Sequence, residues 1–70
     1  MKTATVEGTQ VTIGDHVGFK SDIEQGGQIT DIKRDSMGYT VLVLKNEYGF
    51  EGGYIGGQTV TEERASDCWV

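Results

Sequence analysis

A chain of 70 residues with eleven acidic and six basic side chains, a formal net charge of −5 and a pI of about 4.5, makes one domain with a small core. Conformational entropy of roughly 1–2 kcal/mol per residue opposes its folding, which argues against a large small-molecule pocket inside one protomer. The single cysteine excludes an intramolecular disulfide and a cysteine-based zinc cluster, and the scattered cations make a thin footprint for nucleic-acid phosphates.

In chain order, "KTATVEG" predicts a short edge strand turned back at Gly8. "VTIGDHVGF" follows, with Val11, Ile13, Val17 and Phe19 on one side and Thr12, His16 and Lys20 on the other. That alternation predicts a half-buried strand bent at Gly14-Asp15. "SDIEQGG" carries loop chemistry. In "QITDIKR" the apolar Ile29 and Ile32 are three apart, a spacing that predicts a bulge near Asp31. "DSMG" at 35–38 makes a hairpin turn, and "YTVLVLK" predicts a central strand covered on both faces. "NEYG" turns the chain again, "FE" starts a short fourth strand, and "GGYIGG" forms a 3₁₀ turn pinned by Tyr54 and Ile55. "QTVTEER" is the last long strand, and "ASDCWV" adds a terminal strand or one helical turn. Short strands, tight turns and no amphipathic helix predict an all-β fold over residues 1–70, a single small five-stranded SH3-like barrel with a short 3₁₀ turn before the last strand. An OB-like barrel is the alternative.

Residues 11–35 resemble a KOW motif, the strand-loop-strand element of SH3-like domains in certain ribosomal proteins and transcription elongation factors. The matching residues are Gly14-Asp15, the alternating Val17 and Phe19, Gly27, and then Ile29 and Ile32. The resemblance implies a barrel in which the glycine permits a sharp backbone path and the apolar residues fill the interior. KOW domains that contact RNA are basic around the loop, whereas here it reads "SDIEQ", with Asp22 and Glu24. The resemblance therefore carries over architecture, and some KOW domains bind proteins. The whole chain also resembles the compact stand-alone accessory proteins of tailed bacteriophages.

No residue pattern marks a catalytic centre. His16 and Cys68 are the only imidazole and thiol, and their reading is a polar-face histidine and a small apolar filler beside Trp69. Asp15, Asp22, Glu24, Asp31 and Asp35 lack a calcium-loop spacing and read as solvated surface. "GFEGGYIGG" lacks the Gly-Lys-Ser/Thr ending of a phosphate loop, and Glu51 beside it repels phosphate. No metal or cofactor is implied. Tyr48, Phe50, Tyr54 and Trp69 flank turns and the terminus, where they either line one binding surface or complete a core short of aliphatic volume.

The expected function is a small acidic non-enzymatic protein-interaction module, with those four aromatics and the acidic pair Asp22 and Glu24 as candidate contacts and a partner with a basic surface. If the chain is phage-encoded, that partner is a host factor. One alternative is a KOW-type nucleic-acid-binding domain using Lys20, Lys33, Arg34 and Lys45; an acidic mimic of nucleic acid is a variant of it. Another is a homo-oligomeric structural protein joined through strand edges. "MKTATVEGTQ" lacks the apolar core of a signal peptide, and the longest apolar run, Val41 to Leu44, is too short to span a bilayer. The expectation is a cytoplasmic protein without a membrane partner.

Overall fold

Glu7 and Gly8 both take positive φ (51° and 77°), and this tight turn folds β1 (Thr3–Val6) back onto β2 (Thr9–Thr12). The computed structural model describes residues 1–70. Four further strands follow: β3 (His16–Ser21), β4 (Ile23–Arg34), β5 (Thr40–Lys45) and β6 (Val60–Arg64). Every pairing is antiparallel, and the strands divide into a two-stranded sheet, β1-β2, and a four-stranded sheet, β3-β4-β5-β6. The all-β expectation holds. The expected five-stranded closed barrel does not describe what forms, because six strands separate into two sheets and leave the seam between them open.

The division arises at Gly14-Asp15. The Asp15 carboxylate accepts the Thr12 amide at 2.9 Å and the Asp15 amide donates to the Thr12 carbonyl at 3.1 Å, closing a turn in which Gly14 has φ 100°. What the alternation reads as one bent strand is therefore two strands in different sheets. The change of direction leaves Ile13 outside the core, 47% exposed. The two sheets are still stitched together, since Gly14 donates to the Ile29 carbonyl and Ile29 to the Asp15 carbonyl, both at 2.8 Å.

The expected bulge is present as a register shift between Ile29 and Asp31. One extra residue lets Ile29 and Ile32 share the core face despite their odd spacing. Asp35 shapes the following hairpin by accepting the Met37 and Tyr39 amides, each at 2.9 Å. β5 is the interior strand expected from its composition, flanked by β4 and β6. Leu42 and Leu44 face the core, while Val41 on the opposite face is buried between Lys33 and Arg64 of the neighbouring strands.

Val6, Phe19, Ile29, Ile32, Leu42 and Leu44 are the largest fully buried side chains, and each contributes roughly 1.5–3 kcal/mol relative to exposure. Phe50 completes this core edge-on to Phe19, with ring centroids 5.5 Å apart and planes at 69°. It arrives from irregular chain: the short strand expected at "FE" does not form. The 3₁₀ turn at Gly53–Ile55 does form. Ile55 packs against the core, but Tyr54 is 99% exposed and pins nothing. No helix is long and apolar enough to cross a membrane.

Of the two alternatives for the last residues the helical turn forms, and in place of a terminal strand there is a single isolated bridge. Ala65–Asp67 form a second 3₁₀ turn, and Trp69 then returns to β3 and pairs with Gly18. The exchange is reciprocal: Gly18 N–H donates to the Trp69 carbonyl at 2.8 Å and Trp69 N–H to the Gly18 carbonyl at 2.9 Å. Glycine at residue 18 makes room for the indole, because a Cβ at that position would run into the Trp69 ring and force it to shift.

Candidate functional site

The β3–β4 hairpin is tighter and longer than "SDIEQGG" implies. Ser21 pairs with Ile23 and Lys20 with Glu24, so only Asp22 occupies the turn and the expected acidic loop is mostly strand. Asp22 takes φ 67°, a left-handed conformation that aspartate tolerates better than most residues. Pairing wins over loop chemistry because the strands on either side of this segment reach the core: Phe19 and Ile29 are both fully buried.

The glycine-rich loop packs onto this turn. Gly52 and Gly53 have φ 73° and 52°, and a Cβ on Gly53 would sit 3.1 Å from Asp22 Oδ2. Glycine thus meets two demands at once, a left-handed backbone and a close approach. Gln25 locks the contact: its Nε2 donates to the Glu51 carbonyl at 2.8 Å and its Oε1 accepts the Glu51 amide at 3.0 Å. A side-chain amide here does what a neighbouring strand would do. The result is one end of the molecule where the hairpin tip with Asp22, the 42%-exposed Ile23 and Glu24 meets the loop that carries Glu51 and, next after Gly53, the exposed Tyr54. With Asp22 packed on the loop, that end offers carboxylates where a phosphate cradle would need donors.

The four candidate aromatics do not share one surface. Phe50 is core at 2% exposure, a correction to its place among the contact residues; its ring is needed to fill volume against Phe19. Trp69 is half-buried on Gly18. Tyr54 stands free at the acidic end. Tyr48, 90% exposed, belongs to the Asn46–Gly49 turn, where Asn46 Oδ1 accepts its amide at 3.0 Å.

Nor do the four candidate cations gather. Lys20 lies across from Glu24, Lys33 is bound to Glu62 at 2.7 Å, Arg34 is exposed opposite Thr40 at the far end of β4, and Lys45 ends β5. Arg64, on the same outer sheet face as Lys33, covers the Tyr39 ring at 4.1 Å and approaches Asp35 at 3.8 Å.

Two concavities remain. A shallow one of about 620 Å³ occupies the open seam between β1 and the Tyr39, Thr40, Ala65 and Ser66 region, and its side chains are uncharged. A smaller one of about 340 Å³ lies over Gly26 and Gly27, lined by His16, Gln28, Lys45 and Tyr48. Sequence reasoning missed this second grouping, which only the β3-β4-β5 register brings together. The Gly18–Trp69 seat was missed as well, although a glycine inside an alternating strand is the signal for such a close approach.

Cys68 is buried, and its Sγ lies 3.4 Å from the Arg64 carbonyl. Burial, together with the Glu63 and Asp67 carboxylates, pushes its thiol up to about 11, which keeps it protonated and weakly nucleophilic at neutral pH. No group of three or more histidine, cysteine, aspartate or glutamate side chains is arranged to hold a metal ion. Neither a scan of protein-family models nor comparisons with curated proteins and solved structures finds a match to the chain.

Proposed function

We propose that this chain is a non-enzymatic protein-interaction module whose acidic end receives a basic surface of its partner. The observation that carries this reading is the junction of the β3–β4 turn with the glycine loop. There Gln25 and the Asp22–Gly53 contact bring the hairpin tip with Asp22 and Glu24 against the loop that carries Glu51 and the exposed Tyr54. Carboxylates beside an exposed aromatic suit lysine and arginine side chains, which gain both charge pairing and a cation–π contact. The pairing of Arg64 with Tyr39 and Asp35 is an internal example of the same chemistry. The net charge of −5 favours encounter with a basic partner at long range.

An SH3-like architecture is part of this proposal. Its support is the spatial order Trp69, β3, β4, β5, β6, in which the last residues follow a 3₁₀ turn and return to the first strand of the larger sheet. On the resemblance to phage accessory proteins, a host factor is the partner class to seek first. The nucleic-acid alternative has less support, since its cations are separated and Lys33 is engaged with Glu62. Strand-edge assembly is opposed at β6 by Glu62, Glu63 and Arg64, the charged edge that discourages pairing.

The test is affinity capture with the wild-type chain and with a variant carrying Asp22→Asn, Glu24→Gln, Glu51→Gln and Tyr54→Ser. The expected result is a protein retained by the wild type, released by salt and absent from the variant. Recovery of nucleic acid without protein, or equal retention by both baits, overturns the proposal.

A further inference from the structure

His16, Gln28 and Lys45 are direct cross-strand partners on three neighbouring strands, so their side chains form a row on the outer sheet face. Adjacent members of such a row are about 4.5–5.5 Å apart. The row opens into the 340 Å³ groove, whose floor is the Gly26–Gly27 backbone and whose lining includes Tyr48. This volume is within the roughly 300–1,000 Å³ typical of small-molecule sites. Gln28 is oriented by its Nε2 bond to the Gly14 carbonyl at 3.2 Å. Lys33 and Arg64 on the same face are held by Glu62 and by Asp35 with Tyr39, whereas the Lys45 ammonium and the His16 imidazole make no ion pair. Glu47 also lines the groove, and its carboxylate limits the negative charge that the site accepts.

We propose that this groove binds a small aromatic acid. Its anionic head, a carboxylate or a phosphate monoester, lies between Lys45 and His16 over Gln28, and its ring lies against Tyr48. The Lys45 ammonium gives the head a charge-assisted hydrogen bond, and the His16 imidazole and the Gln28 amide border it as polar groups. The tyrosine supplies an offset-stacking face, and Glu47 disfavours a polyanion. Five residues of β3, about 17 Å at ~3.4 Å each, separate His16 from the end of the strand beside Asp22, and none of Asp22, Glu24, Glu51 and Tyr54 lines the groove, although its floor at Gly26 adjoins Gln25.

The test is a titration followed by amide resonances of the ¹⁵N-labelled chain, using phenyl phosphate, phenylacetate, inorganic phosphate and benzyl alcohol. The expected result is saturable shifts at Gly26, Gly27, Gln28 and 45–48, with a Kd below about 1 mM for at least one aromatic acid. Comparing the two acids identifies the preferred head. Inorganic phosphate and benzyl alcohol should bind at least ~10-fold more weakly, because each offers half of the recognition. Lys45→Gln and Tyr48→Ser should each weaken binding by about 10-fold and Lys33→Gln should leave it unchanged. All three positions are exposed, and the amide spectrum reports that the variants remain folded. No saturable shift with a Kd below about 1 mM for either aromatic acid, or shifts centred elsewhere, overturns the proposal. Inorganic phosphate binding as tightly as the aromatic acids means an adventitious ion only, and overturns it too.

Discussion

Replacing Gly18 with alanine adds one methyl group where the Trp69 ring already lies. The new carbon would be 2.1 Å from Nε1, 2.6 Å from Cε2 and 2.8 Å from Cδ1. Comfortable contact is near 3.5 Å, so the indole must withdraw by about 1 Å or more. β3 is fixed from below by buried Val17 and Phe19, which leaves the terminal residues as the part that moves. If they leave, the reciprocal Gly18–Trp69 hydrogen bonds go with them, at roughly 0.5–1.5 kcal/mol each. Burial of Cys68 is weakened too. Removing a strand glycine returns about 0.5–1 kcal/mol through lower unfolded-state entropy. The hydrogen-bond loss less the glycine gain leaves about 0–2.5 kcal/mol, to which the weakened burial of Trp69 and Cys68 adds, in a domain whose total stability, at 0.05–0.15 kcal/mol per residue, is roughly 3.5–10 kcal/mol. In a domain of this size each kcal/mol lost is a fall in Tm of about 4–8 °C. Thermal melts followed by circular dichroism read the stability, and the sole tryptophan reports its own exposure through a red-shifted emission. Unchanged Tm and unchanged emission in Gly18→Ala would refute the claim that the terminus closes onto β3 through this glycine.

Phe50→Ala should cost about 3–5 kcal/mol and leave the chain partly unfolded at 25 °C, as measured by urea denaturation, because Phe50 is a buried edge-on partner of Phe19. Gln25→Ala should lose about 1–2 kcal/mol from its paired bonds to Glu51 and speed amide exchange at Glu51 more than in β5. Cys68 has its folded-state pKa raised from 9.0 to about 11, so the native state holds the thiol proton more tightly than the unfolded state. Its contribution to stability is complete below about pH 9 and is lost as pH rises through about 11; Cys68→Ala should remove that part of the alkaline decline in denaturation midpoints. Gel shifts at low salt should show no retardation of single- or double-stranded RNA or DNA, given the separated cations.

Local chemistry made much of this fold legible. The β-branched run of β5, the Asp35 hairpin, the Asn46 turn and the bulge after Ile29 each follow from residues adjacent in sequence. The strand split at Gly14-Asp15 was harder to read. An Asp15–Thr12 hydrogen bond reverses the chain while the apolar alternation continues through it. "SDIEQGG" misleads for the opposite reason: turn-forming residues are drawn into a ladder by the burial of Phe19 and Ile29 on either side. Phe50 reaches the core from irregular chain, and no periodicity announces that. Among the candidate contacts, Asp22 and Glu24 were visible as an acidic pair. Their junction with Glu51 and Tyr54 depends on Gln25 and on the glycine loop crossing back to the hairpin, a contact 26 residues apart.

Resonance mapping of the ¹⁵N-labelled chain with its captured protein partner tests the proposed interface most directly. The largest perturbations are expected at residues 20–25 and 51–55, diminished by added salt as screening weakens the charge pairing. Perturbations confined to the β1–β2 ribbon or the β6 edge, with the acidic end untouched, would contradict it.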